Sequence, residues 1–343
     1  MSYCFNSEFE KMMSSHQLTK VCIVGHLNPD GDAAGSVMGL AHYIKAVYPQ
    51  FDVYPYLETA LDIGPKNVVL SDPMFDPFHL PAFLENVCFE DESSAIPRYA
   101  AIACDTATAK RVVGYDIFKN AVVNISYDHH AGHEDYAETN ITIISEACAA
   151  NVHDMIDWEP WKDSTDSAIH PNAADYLYMG ILTDTDCFSR ANPNIMSAAL
   201  HLQELGVNHF QAEKVMHTET FNDLMKKTQI LSLASRIMED KVAYIVVDKA
   251  MQESMNIDYE AVHPIAGILR NCADIELGIT MFQAPENKWW CSFRSNPEWI
   301  DINHLLSFFG GGGHKAAAGL TLYDITPEEI LPEIFKKIEE LHA

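Results

Sequence analysis

The sequence predicts an α/β protein in which a largely parallel sheet flanked by helices is followed by a smaller mixed α/β domain. Three observations predict this class. Short apolar, β-branched segments alternate with helical segments in the first half of the chain, a mostly helical pattern fills residues 171–228, and strand patterns then return. We therefore expect a first domain over residues 1–205, a helical linker over 206–230 and a second domain over 231–343.

Four segments of the first half have the composition of buried strands. They are apolar on both faces, as expected for parallel strands covered by helices on either side. The four segments are residues 21–25, 53–57, 100–104 and 122–126. The clearest helix follows Asp32, where apolar residues from Val37 to Val47 recur at helical spacing until Pro49, and Asp32 is a suitable N-cap for it.

The second half carries three further strand patterns and a terminal helix. The strands are predicted at residues 242–247, 276–282 and 288–293, and the turn-rich sequence APEN between the last two predicts a hairpin. Residues 326–341 place Ile330, Ile334, Ile338 and Leu341 at near-helical spacing. The second domain is therefore expected to end in a packed helix.

Composition and charge narrow the classes of function. Among 343 residues, 49 acids outnumber 22 bases, and the net charge of -27 repels nucleic acid and anionic membranes. No apolar run reaches the roughly 18 to 20 residues of a membrane span, and the N-terminal residues lack the pattern of a signal peptide. The eight cysteines form no C-x-x-C pair and are expected to be reduced thiols. We expect a cytoplasmic protein without a long nucleic-acid track.

Acidic and imidazole side chains follow three of the predicted strands. His26, Asp30 and Asp32 come after the first, a segment that by itself equally suits a turn with a capping aspartate. Asp105 follows the strand at 100–104, and the strand at 122–126 leads into the sequence YDHH. This sequence contributes Asp128, His129 and His130. A further carboxylate, Asp184, follows the helical run at 173–182. Because ligands gather beyond the carboxyl ends of parallel strands, these groups are expected to converge.

A cluster of this composition predicts a metal centre. Unpaired carboxylates repel one another and resist burial unless a cation compensates them. Carboxylates and imidazoles without thiolates suit Mn²⁺, with Mg²⁺, Fe²⁺, Co²⁺ or Zn²⁺ as substitutes. Six candidate ligands exceed the need of one open site, so two divalent ions sharing a bridging aspartate are expected, an arrangement suited to phosphoester hydrolysis.

The ordered motifs also carry a family resemblance. GHLNPDGDAAGS, CDTAT, DHH and TDTDCF resemble the four motifs of the DHH phosphoesterases, and SFRS followed by FGGGGHKAAAG resembles the signature of the accompanying DHHA1 domain. The resemblance runs from about residue 20 to residue 320. Asp186 departs from it, because the family usually has glycine there.

The resemblance implies roles for the residues of the first domain. One manganese ion would be held by His26, Asp30 and Asp105. The second ion would be held by Asp105, as the bridge, together with Asp32, His129 and Asp184. His130 would interact with the scissile phosphate or the leaving group, and Asp128 would orient the neighbouring histidines.

The glycine run of the second half predicts a phosphate contact. Backbone N–H groups without side chains can form an anion cradle, although a hinge or a close packing contact also explains such a run. The AAAG that follows suggests tight helix packing, and Arg294 can bind phosphate bidentately. By the resemblance, the terminal phosphate or nucleotide portion of the substrate would be held by Arg294, Gly311, Gly312, Gly313 and His314. Arg190 is a weaker candidate for this contact and is interpreted as a surface arginine.

Within that family, the chain is most similar to the nanoRNase and pAp phosphatase group. This similarity implies a manganese-dependent phosphoesterase acting on short oligoribonucleotides, on 3'-phosphoadenosine 5'-phosphate (pAp), or on both. Cleavage of linear or cyclic dinucleotides is the close alternative, and a nucleotide-binding sensor without catalysis is a rival of another class. A homodimer is compatible with the sequence.

Overall fold

The computed structural model describes residues 4–59, 61, 63–76 and 98–342. The chain forms two compact units, Met1–Thr218 and Glu219–Ala343, each with its own sheet. Residues 206–230, predicted as a linker, contribute one helix to the first unit and most of another to the second.

The sheet of the first unit has five parallel strands in the order β2-β1-β3-β4-β5. The strands are β1 (Lys20–Val24), β2 (Asp52–Tyr56), β3 (Ala100–Cys104), β4 (Val123–Asp128) and β5 (Thr139–Thr142). Apolar side chains pack on both faces, with Val21 and Ile23 in one core cluster and Cys22 and Val24 in another. The predicted helix-flanked parallel sheet is therefore confirmed.

Helices of the described residues cover this sheet. They are α1 (Phe5–Ser15), α2 (Gly31–Val47), α3 (Ile63–Ser71), α4 (Tyr115–Lys119), α5 (Cys148–Met155), α6 (Trp158–Lys162), α7 (Ala173–Asp184), α8 (Pro193–Glu204) and α9 (His209–Met216). The predicted cap of α2 was wrong by two residues. Asp30 is the N-cap and accepts from the N–H groups of Asp32 and Ala33, whereas Asp32 lies inside the first turn.

Helices α2 and α7 approach closely because glycines meet at their crossing. A Cβ atom on Gly35 would lie 2.8 Å from the Cα of Gly180 and 2.5 Å from the carbonyl oxygen of Tyr176. Since α2 carries Asp32 and α7 ends at Asp184, this crossing determines how far apart the two carboxylates lie.

The second unit is built on a mixed sheet with the strand order β10-β11-β9-β8-β7-β6. Its strands are β6 (Ser235–Ile237), β7 (Val242–Val247), β8 (Leu277–Ala284), β9 (Lys288–Ser295), β10 (Gly312–Gly313) and β11 (Ala317–Tyr323). Its helices are α10 (Phe221–Leu231), α11 (Lys249–Met255), α12 (Tyr259–Val262), α13 (Ile265–Arg270), α14 (Ile302–Ser307) and α15 (Pro327–His342). The predicted hairpin and the terminal helix are present as β8–β9 and α15.

Most of the AAAG segment lies in strand β11, which the sequence analysis did not predict, and the buried face of this strand shares a core cluster with side chains of helix α14. Ala318, Leu320 and Leu322 are buried there, while Gly319 and Thr321 between them are exposed. This period of two is the alternation of a strand with one covered face.

Candidate metal centre

The side chains predicted to converge lie at the carboxyl edge of three neighbouring strands. His26 follows β1, Asp105 follows β3 directly, and Asp128 ends β4, immediately before His129 and His130. Strands β1, β3 and β4 are adjacent in the sheet, so chain segments distant in sequence deliver these groups to one place.

The first group of ligand-type atoms is formed by His26, Asp30 and Asp105. Nε2 of His26 lies 3.7 Å from Oδ1 of Asp30 and 3.7 Å from Oδ2 of Asp105. One ligand atom from each of the three residues lies within 4.8 Å of the others. These are the residues that the family resemblance assigned to one metal ion.

The second group is formed by Asp32, His129 and Asp184, again with mutual separations within 4.8 Å. Nε2 of His129 lies 4.0 Å from Oδ2 of Asp32 and 3.5 Å from Oδ2 of Asp184. The same nitrogen lies 3.2 Å from Oδ1 of Asp105. The two oxygens of Asp105 thus face different histidines, Oδ2 toward His26 and Oδ1 toward His129.

Electrostatics in this cluster favour a bound cation. Asp32 is fully buried, and Oδ1 of the buried Asp105 receives no hydrogen bond. Burial, together with repulsion from Asp105 and Asp184, raises the pKa of Asp32 well above its ordinary value. Burial and the charges of Asp30 and Asp105 raise the pKa of Asp184 to about 7. Carboxylates in this situation require protons or a cation, and the donor set of oxygens and imidazoles fits a hard or borderline divalent ion.

The surroundings fix the ligand atoms in place. The N–H groups of Cys148 and Ala149, at the start of α5, donate to the Asp32 carboxylate at 2.6 and 2.9 Å. Nδ1 of His129 lies 3.0 Å from the carbonyl oxygen of Ser145, which directs Nε2 into the cluster. Burial alone would lower the pKa of His129, but contact with Asp105 and the other negative charges raises it to about 10.

Asp128 contacts a different pair of histidines from the pair expected. Its Oδ1 lies 2.8 Å from Nδ1 of His130, and its Oδ2 lies 2.8 Å from Nδ1 of His133. His129, one of its expected partners, instead contacts a backbone carbonyl. His130 also approaches the cluster, with Nδ1 3.7 Å from Oδ1 of Asp105. The sequence analysis had assigned no role to His133.

Two exposed arginines lie beside the cluster, of which the sequence analysis named only Arg190. Nη2 of Arg111 lies 3.3 Å from Nδ1 of His26, and Nη2 of Arg190 donates to the carbonyl oxygen of Asp184 at 2.6 Å. Arg111 could have been noticed because it follows Asp105 by six residues in the same loop. Asp186, by contrast, is exposed, accepts a hydrogen bond from the hydroxyl of Ser189 and has a φ of 51°. The left-handed backbone there explains why glycine suits this position.

The residues expected to contact substrate in the second unit lie at one end of its sheet. Arg294 on β9 pairs with Ala317 on β11, and the carbonyl oxygen of Ala317 accepts from the N–H of His314. Three backbone donors of the glycine segment are used internally, since Gly311, Gly313 and His314 donate to Leu306, Asn303 and Ala317 respectively. In this arrangement these three N–H groups do not form the expected backbone cradle. The His314 side chain is exposed.

Comparisons with known proteins agree with this architecture. The DHH family, N-terminal domain, matches residues 20–181, and the DHHA1 domain matches residues 239–343. A bifunctional oligoribonuclease and PAP phosphatase, NrnA, of Mycoplasma genitalium is 25% identical over 342 residues, covering 96% of this chain and 97% of that protein.

Two further proteins are similar to the chain, one compared by sequence and the other by structure. The cyclic-di-AMP phosphodiesterase GdpP of Geobacillus thermodenitrificans is 23% identical over 94% of this chain, which spans 47% of that protein. The crystal structure of an exopolyphosphatase-related protein from Bacteroides fragilis superimposes with a TM-score of 0.79 at 21% identity, covering 98% of this chain and 96% of the other. The latter similarity shows a shared fold.

The described helices include none that is both long and apolar enough to cross a membrane. The two matched domains together account for most of the chain, and the ligand-type residues lie in the first of them except Asp184, which follows its last matched residue by three positions. The chain belongs to the DHH family with an accompanying DHHA1 domain, and it is a phosphoesterase.

Proposed function

We propose that the protein is a divalent-metal-dependent phosphoesterase that hydrolyses short oligoribonucleotides and pAp. One observation carries the metal requirement. A buried carboxylate oxygen, Oδ1 of Asp105, receives no hydrogen bond and lies among further carboxylate and imidazole ligand atoms. Removing such an atom from water without a partner is costly, and a cation is the partner that its neighbours can share.

The ligand sets that we propose follow the two groups of atoms. His26, Asp30 and Asp105 would hold one ion, and Asp105, Asp32, His129 and Asp184 would hold a second. Divalent ions in such a centre supply a water of lowered pKa and neutralise charge on the phosphoryl group. Mn²⁺ is the proposed ion because imidazole and carboxylate ligands occur together.

The other residues supply orientation and charge. Asp128 holds Nδ1 of His130, which fixes the ring that would contact the phosphate or the leaving oxygen. Arg111 and Arg190 place exposed guanidinium groups beside the cluster in a chain whose net charge is -27. A phosphate ester approaching this edge of the sheet would therefore meet local positive charge.

The proposed substrates rest on two arguments. NrnA of Mycoplasma genitalium, named for oligoribonuclease and PAP phosphatase activities, aligns with this chain over nearly the full length of both proteins. The large negative net charge disfavours a long polyanion, because each added phosphate increases repulsion. Arg294 and His314 would contact the second phosphate or the nucleotide of a short substrate.

A substrate panel tests the proposal. The full chain, freed of metal and reloaded with Mn²⁺, would be assayed on pAp, 5'-phosphorylated ribonucleotides of two to five residues, linear and cyclic dinucleotides, and pyrophosphate. We expect the highest kcat/KM for pAp or for the shortest oligoribonucleotides, and no turnover after chelation. A cyclic dinucleotide as the preferred substrate would replace the proposed substrate class. Tight nucleotide binding without turnover under every divalent ion would indicate a sensor instead.

A further inference from the structure

His133 lies outside the DHH sequence itself but contacts it through Asp128. Its side chain is 5% exposed and its Nδ1 lies 2.8 Å from Oδ2 of Asp128. Its other ring nitrogen, Nε2, lies 3.3 Å from Oδ1 of Asn140 on β5. Both nitrogens of this buried ring therefore face oxygen atoms.

The orientation of the Asn140 amide is fixed by its backbone contacts. Oδ1 accepts from the N–H of Ala137 at 3.1 Å, and Nδ2 donates to the carbonyl oxygen of Ala137 at 2.8 Å. Rotating the amide by half a turn would place an NH₂ group against an N–H and an oxygen against a carbonyl. The atom facing Nε2 of His133 is therefore an acceptor, and Nε2 must donate.

The contact between Nδ1 of His133 and Oδ2 of Asp128 is short, at 2.8 Å, so a hydrogen bond joins the two atoms. The other oxygen of the same carboxylate, Oδ1, makes an equally short contact with Nδ1 of His130. Asp128 is buried, and these two contacts fix the orientation of its carboxylate.

We propose that His133 is a positioning residue that holds the Asp128 carboxylate in place and thereby orients His130. With Oδ2 of Asp128 held by His133, Oδ1 remains directed at Nδ1 of His130. The His130 ring is then held with Nδ1 toward Asp128 and Nε2 turned away from it. The effect of this arrangement on turnover rests on the phosphoesterase function proposed above.

The neighbouring packing restrains this arrangement further. Tyr136 contacts the His133 ring, with ring centroids 5.4 Å apart, and its hydroxyl donates to the carbonyl oxygen of Thr106. Thr106 directly follows Asp105 in the chain. The His133 ring is thus held between Asp128, Asn140 and a tyrosine that is itself anchored beside the metal centre.

The test compares His133→Phe and His133→Gln with His16→Gln, a change of the same type at an exposed histidine. The first readout is the ¹⁵N–¹H spectrum of the histidine rings in the full chain with diamagnetic Mg²⁺. We expect the ring signals of His130 to shift in His133→Phe, to shift less in His133→Gln, and to stay unchanged in His16→Gln. Unchanged His130 signals in His133→Phe would overturn the proposal.

The second readout is kinetic and separates positioning from folding. With Mn²⁺ and pAp, we expect His133→Phe to lower kcat by about 10- to 100-fold, the usual effect of losing such a partner, with KM changed less than about twofold. His133→Gln keeps one donor and should recover part of kcat. A lower Tm with unchanged kcat per folded molecule would show a structural role only. If the wild type turned over no phosphate ester, the proposed function would fail, while the spectra would still decide whether His133 positions His130.

Discussion

Oδ1 of Asp105 lies 3.2 Å from Nε2 of His129, is buried, and receives no hydrogen bond. Its other carboxylate oxygen faces His26. A carboxylate with one oxygen toward each of two ligand groups has the arrangement expected of a bridge between two ions.

The crossing of α2 and α7 predicts that Gly180→Ala disturbs the metal centre. An added Cβ at residue 180 would lie 2.9 Å from Oδ1 of Asp32 and 2.6 Å from the Cβ of Ala149. Overpacking of this kind costs about 1 to 3 kcal/mol of unfolding free energy, and here it would also displace a ligand. Urea unfolding should show a lower free energy of unfolding, and Mn²⁺ calorimetry should show a lower affinity for the ion.

Gly267→Ala is the matched control for that substitution. Apart from its chain neighbours and the backbone of its own helix, no atom of the described residues lies within 4 Å of a Cβ built at Gly267, so the stability of the variant should be unchanged or slightly higher. Unaltered Mn²⁺ affinity in Gly180→Ala would show that the crossing does not set the position of Asp32.

Arg294→Ala should act mainly on substrate binding. A charge-assisted contact to phosphate contributes about 1.5 to 3 kcal/mol, so KM for pAp should rise roughly 10- to 100-fold while kcat changes little. Steady-state kinetics separate the effect on KM from the effect on kcat. Arg236→Ala, which removes an exposed arginine paired with Asp240 and Asp274 on the same unit, should leave both constants near wild type. A fall in kcat at constant KM would contradict the assigned role of Arg294.

Asp72 should stabilise the first unit in a pH-dependent way. It is 3% exposed and accepts from the hydroxyl of Tyr176 at 2.7 Å, while Nε2 of His42 lies 2.8 Å from the same oxygen. Burial alone would raise the pKa of Asp72, but the hydrogen bond and charge of His42 and the bonds from Met74 and Tyr176 lower it. The ionised form is therefore favoured by folding.

The sign of the pH effect follows from that lowered pKa. The stabilisation is fully present above the unfolded value of about 3.9 and is lost as pH falls through the folded pKa. Asp72→Asn should cost about 2 kcal/mol near neutral pH, and its difference from wild type should shrink below about pH 4. Chemical unfolding at several pH values measures this difference, with the exposed Asp163→Asn as control. A difference that grew with acidity would contradict the assignment.

Much of the first unit was predictable because its strands are apolar on both faces and end in polar groups. The alternation of strands and helices placed Asp105 and the DHH sequence at one edge, and β1, β3 and β4 are neighbours there. Asp32 was harder to place, since aspartate near a helix start usually caps it. Here Asp30 takes the cap, and Asp32 is buried against the N-terminus of α5, a contact across 116 residues of sequence.

Other features depend on tertiary contacts, which local sequence patterns do not predict. The roles of Arg111 and His133 follow from side chains meeting across loops, and neither residue belongs to a periodic segment. The glycine run predicts backbone N–H groups that are available to a phosphate, but three N–H groups of residues 311–314 donate to Leu306, Asn303 and Ala317 instead. Three consecutive alanines suggest a helix contact, which β11 makes with α14, but they do not indicate a strand, whereas the following alternation of Leu320 and Leu322 does.

The most direct measurement of the central claim combines Mn²⁺ calorimetry with hydrolysis of pAp and 5'-phosphorylated diadenylate, using metal-free wild type, Asp105→Asn and Asp186→Asn. Asp186 is the control because it is a nearby but exposed carboxylate outside both ligand groups. We predict Mn²⁺-dependent hydrolysis by wild type and by Asp186→Asn. In Asp105→Asn we predict weakened Mn²⁺ binding and a loss in kcat/KM of at least about 1,000-fold, equivalent to several kcal/mol of transition-state stabilisation. Hydrolysis without a divalent ion, or near wild-type turnover by Asp105→Asn, would contradict the account.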